Sequence, residues 1–293
     1  MNLISEEDGK QMDLLISALK AVLFGIVEGI TEWLPVSSTA HMILLNDFVK
    51  MSASDEFMSM FDVVIQLGAI IAVIMLFFRQ IWPFAKPGSG VGPGGIFRLD
   101  VIRLWLMVII AILPSAVVGI PLDDWLDAHL HNNIVISVML ILYGVLFIVV
   151  ERSSIVRRSP RVASLGEMDA RTAILIGLFQ VLALIPGTSR SGATILGGLL
   201  TGCSRAVAAE FTFIMAIPTM AGASLIKLLK FGFRFSTEEM VILAVGCVTA
   251  LIVSLLAIRK FVDYIKHHSF EPFGWYRIIL GLVVAIVTVL KSA

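Results

Sequence analysis

Two short stretches hold most of the side chains in this chain that could do chemistry, each set in an apolar run. The first, Gly25 to His41, reads GIVEGITEWLPVSSTAH. Glu28 and Glu32 are four residues apart, so on a helix both carboxylates fall on one face. Pro35 breaks that helix, and Ser37, Ser38, Thr39 and His41 follow it. A charged group at hydrocarbon depth costs ~2.5–3.5 kcal/mol or more, so such groups usually face a cavity and work there. Two carboxylates one turn apart repel, and in a low dielectric one keeps a proton unless a cation sits between them. A divalent ion, Mg²⁺ or Ca²⁺, takes oxygen ligands of this kind, which makes Glu28 and Glu32 the candidate metal ligands. His41 has the chemistry of a general acid or base, and Ser38 that of a nucleophile activated by a neighbouring base. The plainer readings are packing glutamates, a histidine bonded to a helix carbonyl, and serines that cap a half-helix.

The second stretch, Gly177 to Thr194, reads GLFQVLALIPGTSRSGAT and is a weak copy of the first. Aligning Gly25 with Gly177 sets Glu28 over Gln180, Ser37 over Ser189, Thr39 over Ser191 and Ala40 over Gly192, with the prolines one position out of step. In place of the acids this copy carries Arg190, whose fork matches phosphate oxygens bidentately. The turn around it, with Ser189, Ser191 and Thr194, can aim backbone N–H groups and a helix N-terminus at an anion. The competing reading is a structural arginine paired with Glu210 or a hairpin carbonyl. Carboxylates and an imidazole from one copy and a guanidinium from the other would together suit a phosphorylated ligand.

The elements that must position these groups follow from composition. Hydrophobic residues are 58% and charged residues 15% of the chain, against about 25% charged in soluble domains. With a mean hydropathy of +0.96, this predicts an all-α integral membrane protein. The zero net charge gives no global field for nucleic acid. Cys203 and Cys247 sit in apolar runs and read as buried small hydrophobes. Residues 1–11 are polar, and LISEED resembles part of an epitope tag, so they are set apart from the fold as a tag or disordered N-terminus. The first apolar run lacks the flanks of a cleavable signal peptide and is expected to stay.

Met12–Trp33 and Val36–Phe48 are not clean spans and predict a re-entrant hairpin, followed by spans at Phe57–Phe78, Arg103–Ile120 with a kink at Pro114, and Asn133–Val150. Lys86–Gly95 reads as a flexible linker. Ala170–Leu184 and Ser189–Thr201 predict a second hairpin, followed by Val207–Leu229, Glu239–Ile258 and Phe273–Leu290. The chain thus divides into 12–151 as a first repeat, 152–169 as a basic cytoplasmic loop and 170–293 as a second repeat. About six transmembrane helices and two re-entrant hairpins result. Three spans per half turn the second half upside down, which gives inverted-topology repeats whose hairpin tips meet near the midplane. Arg152, Arg157, Arg158 and Arg161 place their loop inside, and Asp123, Asp124 and Asp127 place theirs outside. Lys227, Lys230 and Arg234 fall on the outside against that rule, as candidate headgroup contacts. Asp62, Gln66 and Glu210 are expected to support the hairpins.

At these stretches the chain resembles the bacterial undecaprenyl pyrophosphate phosphatase family of the bacitracin-resistance type. The resemblance rests on GIVEGITEWLPVSSTAHMI, FDVVIQLGAIIAV, PGTSRSGATI and SRAVAAEFTFIMAIP, in that order, and departs at Ala40, where the family usually has glycine. It implies hydrolysis of a polyprenyl pyrophosphate lipid to the monophosphate carrier of cell-wall synthesis, with a divalent metal. It also implies an integral, often dimeric protein of the bacterial cytoplasmic membrane whose active site faces the outer side. By position the functional residues it carries over are Glu28, Glu32, Ser38, His41, Ser189, Arg190 and Thr194; Ser37, Thr39 and Ser191 join them as candidate substrate contacts from the reading of the turns. Ser38 and a metal-bound water both stand as the attacking group. The alternative function is a transporter or flippase of the monophosphate carrier that uses the same inverted-repeat site without bond cleavage.

Overall fold

The computed structural model describes residues 2–51, 53–85 and 97–292; the linker Lys86–Gly95 lies outside them. Helices run in the order α1 (Asn2–Thr31), α2 (Ser38–Phe48), α3 (Asp55–Val64), α4 (Gln66–Ile81), α5 (Leu99–Leu130), α6 (Asn133–Arg152), the single turn α7 (Ser154–Arg157), α8 (Ala170–Leu182), α9 (Arg190–Leu200), α10 (Arg205–Phe231), α11 (Thr237–His267) and α12 (Glu271–Ser292). Polar residues just outside the apolar runs set the helix starts. Ser54, Asn132, Asp169 and Ser204 each accept a hydrogen bond from an amide three residues on, and Ser236 with Glu239 forms a capping box.

Among the described residues, seven helical stretches are long and apolar enough to cross a membrane, the protein being an all-α integral membrane protein. Six are the spans anticipated above. The seventh, Gln11–Thr31, is the first arm of the first hairpin, which stops inside the bundle with Glu28 and Glu32 buried. Three details differ from the sequence reading. Helix α1 begins at Asn2, so it runs through the residues set apart as a tag or disordered N-terminus. The span after the first hairpin breaks for one residue at Ile65, between Asp62 and Gln66. Helix α5 continues through Pro114 and Pro121 to Leu130, so Asp123, Asp124 and Asp127 lie on its last turns rather than in a loop.

The polar contacts at the two ends sort the helices by face. On one face Ser17 of α1 donates to Glu238 at the start of α11, Lys20 donates to the Lys50 carbonyl, and Lys291 pairs with Asp47. On the other, Arg152 pairs with Glu271, Arg205 with Glu151, and Arg161 reaches both Asp169 and the Thr201 carbonyl. The first hairpin is therefore rooted at one face and the second at the opposite face. Lys230 forms 2.8 Å ion pairs with Asp123 and Asp124, so its partner is the acidic end of α5 rather than a headgroup.

Between apolar helices in lipid, association rests on close packing and interhelical hydrogen bonds rather than on transfer from water. Gly25 and Gly177, aligned above, are where this acts. A Cβ on Gly25 would lie 2.7 Å from the Gly246 carbonyl oxygen of α11, and one on Gly177 would lie 2.2 Å from that of Ala111 on α5. α1 thus packs on the second span of the other half, and α8 does the same in reverse. Trp33, Phe211, Phe213 and Phe270 are fully buried in the centre, while Leu106, Val117, Val138, Ile252 and Ile286 are exposed on the outside, where lipid covers them. Cys203 is buried, and Cys247 is half-buried with its thiol 3.6 Å from the Val64 carbonyl; both are free.

Candidate active site

Each hairpin turns on a serine. Ser37 has φ 73° and caps α2, accepting from the Ala40 amide at 3.5 Å; Ser189 has φ 71° and caps α9, accepting from the Gly192 amide at 3.1 Å. These are the only non-glycine residues with positive φ among those described. With ψ of 94° and 123° they lie outside the left-handed helical well, in backbone that costs on the order of 1–3 kcal/mol. Glycine would take that conformation freely but could not cap. The two turns bring the first residues of α2 and α9, Ser38 and Arg190, to one carboxylate, that of Glu32.

In that place the guanidinium of Arg190 donates through Nε and Nη2 to Glu32 Oε1, at 3.3 and 3.1 Å, and through Nη1 to the Thr212 carbonyl at 3.1 Å. It also lies over the Trp33 ring, 6.0 Å from its centroid. Its partner is thus Glu32 and not Glu210. The second carboxylate oxygen, Oε2, accepts from Ser38 Oγ at 2.6 Å. Ser191 Oγ, fully buried, lies 3.0 Å from the Glu32 carbonyl and 3.1 Å from that of Leu34, so α9 is bonded directly onto the first turn. Removing either partner of so enclosed an ion pair would leave an uncompensated charge, at a cost of ~3–5 kcal/mol. An entering anion that replaces Glu32 on the guanidinium keeps Arg190 paired, and the freed Glu32 carboxylate is then balanced by a proton or a cation.

Glu28 is buried one turn before Glu32, and its Oε1 has no hydrogen-bond partner. Four residues apart on the same helical path, its carboxyl and that of Glu32 share one face. Asp62 Oδ1 is likewise buried without a partner. No group of three or more His, Cys, Asp or Glu forms a ready-made metal cage among the described residues. A small hard cation does not need one, since Mg²⁺ commonly takes one or two carboxylates and draws its other ligands from phosphate and water. An orphaned carboxylate oxygen against a second carboxylate fits such an ion. Glu28 offers the free oxygen, and Glu32 could contribute once Ser38 or Arg190 releases it.

His41 lies on α2 beside this cluster. Its Nδ1 is 2.7 Å from the Ser37 carbonyl and its Nε2 is 2.6 Å from the Tyr276 hydroxyl, with the two rings stacked. A carbonyl only accepts, so Nδ1 carries the hydrogen, and in the neutral ring Nε2 accepts from Tyr276. Ser38 therefore has Glu32, not His41, as its hydrogen-bonded base.

Thr194 is buried, with its hydroxyl bonded to the Arg190 carbonyl at 2.8 Å and to Thr212 Oγ1 at 2.9 Å, so it braces α9 against α10. Thr39 is exposed, and of the candidate residues it is the one the structure does not draw into the cluster. The sequence reading missed Tyr276, Arg277 and Trp33. Arg277 is fully buried on α12 and donates to the Pro35 carbonyl of the first turn at 3.1 Å and to the Gly187 and Thr188 carbonyls of the second at 2.8 and 2.9 Å. Its guanidinium lies 5.6 Å from the Tyr143 ring centroid, and its Nε has no partner. An arginine inside the apolar run WYRIIL is the same signal that singled out Glu28, and it could have been found that way.

The profile of the family described as bacitracin resistance protein BacA matches residues 21–283. A protein of Enterococcus faecalis named undecaprenyl-diphosphatase is 52% identical over 273 residues, covering 93% of this chain and 98% of its own length. Proteins with the same name from Acetivibrio thermocellus, 51% identical over 272 residues, and Lachnoclostridium phytofermentans, 52% identical over 270 residues, cover 93% and 92% of this chain and 98% and 96% of their own lengths.

Proposed function

Because this chain belongs to the bacitracin resistance protein BacA family, we propose that it removes the terminal phosphate of undecaprenyl diphosphate, with the cluster around Glu32, Ser38 and Arg190 as its active site. The observation that carries this reading is that one carboxylate, Glu32, holds a guanidinium on one oxygen and a serine hydroxyl on the other. The first is what a phosphoryl group needs around it, and the second is what makes a nucleophile.

The chemistry follows from those bonds. The diphosphate takes the Arg190 fork, which turns from Glu32 to two phosphoryl oxygens and neutralises charge there. Glu32 Oε2 accepts the Ser38 proton across their 2.6 Å hydrogen bond as Oγ attacks the terminal phosphorus. The bond to the bridging oxygen breaks, and the lipid monophosphate leaves. Water then hydrolyses the phosphoserine, with Glu32 returning the proton to Ser38. His41, fixed by the Ser37 carbonyl and Tyr276, holds the α2 turn in register and can relay the proton of that water through Nε2. Glu28 and Glu32 would hold a divalent ion, Mg²⁺ or Ca²⁺, which when bound draws charge off the diphosphate oxygens.

The face bearing Arg98, Arg152, Arg158, Arg161 and Lys266 is cytoplasmic by the positive-inside rule, and the face of Asp123 and Asp124 is outer. We place the chain in the bacterial cytoplasmic membrane, with access to the site from the outer side as the family resemblance implies. Purified protein in detergent, where no second compartment exists, should release phosphate from undecaprenyl diphosphate, and EDTA or Glu28→Gln should stop it. Inert protein that nonetheless moves the monophosphate across vesicles would replace the enzyme with a transporter.

A further inference from the structure

Away from the active site, a cavity of about 400 Å³ opens among the α7 segment, the end of α9, the start of α10 and the end of α11. From Arg190 the end of α9 is ten residues on, ~15 Å along the helix, so this is a separate place. It lies at the membrane face where Arg152 pairs with Glu271. Three cations line it: Arg158, Arg205 and Lys266. Glu151 engages Nε and Nη2 of Arg205, which fixes this side chain rigidly at the wall and leaves Nη1. Lys266 also reaches Asp263 at 2.9 Å in an exposed pair, which is weak and readily exchanged. Ser204, the cap of α10, adds the positive end of a 27-residue helix. The remaining wall is apolar, with Ile155 and Leu199.

We propose that this cavity binds the phosphate headgroup of an anionic phospholipid, phosphatidylglycerol or cardiolipin, from the leaflet at the basic face. Three cations facing one hollow call for an anion, and the apolar wall at the membrane interface calls for one that carries acyl chains; basic pockets between transmembrane helices at such a face suit these headgroups. The site joins the α7 segment, α9 and α10, so an occupant would brace the root of the second hairpin without touching the reacting groups.

The test is native mass spectrometry of the full chain released from vesicles of equal phosphatidylglycerol and phosphatidylcholine. The unmodified protein should retain phosphatidylglycerol over phosphatidylcholine by about a hundredfold or more. Arg158→Gln with Lys266→Gln removes two exposed charges and should weaken that retention by roughly thirtyfold, with phosphate release in detergent unchanged. Equal retention of the two lipids by the unmodified protein, or undiminished preference in the double variant, would overturn the proposal. So would displacement of the lipid by millimolar inorganic phosphate, which would make this a site for a free anion instead.

Discussion

The Arg190 guanidinium lies 3.1 Å from the Glu32 carboxylate, although 158 residues of chain separate the two. Both are nearly enclosed, with side-chain exposures of 13% and 7%. In the mechanism proposed above this pair is the resting state, in which Arg190 is held against an internal carboxylate until a substrate phosphate displaces it.

Arg190→Lys keeps the charge but loses the planar fork that holds two oxygens at once. Phosphate release measured as kcat/KM should fall by about a hundredfold or more, the scale of losing one well-placed donor to a developing charge. Wild-type turnover in this variant would mean that Arg190 merely balances Glu32.

Ser38 and Glu32 should act as a unit. Ser38→Ala and Glu32→Gln are each expected to abolish turnover, with the double variant no worse than the more impaired single one. A rapid acid quench with substrate labelled at the terminal phosphate should leave label on Ser38; a single turnover with no labelled protein and water oxygen in the phosphate would hand the attack to water.

Metal binding can be read without turnover. Mg²⁺ or Ca²⁺ at a hundred times its dissociation constant should stabilise the folded protein by ~2.7 kcal/mol, seen as a rise in melting temperature in detergent. Glu28→Gln should remove that rise. A rise of full size in Glu28→Gln would place the ion elsewhere.

Arg277 donates to carbonyls of both turns, so Arg277→Ala strips the Pro35, Gly187 and Thr188 carbonyls of their donor together. Each buried acceptor left without a partner costs ~1–3 kcal/mol. The melting temperature should drop sharply and activity should go with it, while Arg277→Lys, which can serve fewer carbonyls, should fall between. An Arg277→Ala protein with normal stability would remove the two-turn clasp.

Glycine and alanine should part company at the two strained serines. At Ser37 or Ser189, alanine loses the cap and keeps the strained backbone, for a loss of ~1 kcal/mol. Glycine forfeits only a few tenths of that and relaxes the positive φ, so it should match or exceed the wild type in thermal stability. Alanine variants as stable as glycine variants would mean that the backbone there is not strained.

Much of this was legible from charge placed where charge is expensive. Glu28, Glu32 and Arg190 stood out because each interrupts an apolar run, and the Gly25–Gly177 alignment paired Ser37 with Ser189, which the structure shows as twin caps. The assignment of oxygens was not legible: that Ser38 meets Glu32 while His41 turns to Tyr276 depends on how α2 is rotated about its axis, as does the exposure of Thr39. Ser191 and Thr194 looked like phosphate contacts in a serine-rich turn, yet their hydroxyls are bonded to protein, because a turn at that depth must satisfy its own carbonyls before it can serve a ligand. Arg277 escaped notice because no local motif surrounds it; its partners lie 242, 90 and 89 residues away.

The opposed rooting of the two hairpins has a consequence for how such a molecule can be taken apart. Two copies of the N-terminal portion would bring carboxylates to the centre twice and no guanidinium to receive the anion; two copies of the C-terminal portion would do the reverse. Neither fragment could work by self-association, so expressed alone each should be silent, and only the mixed pair, assembled antiparallel in one bilayer, would recover turnover.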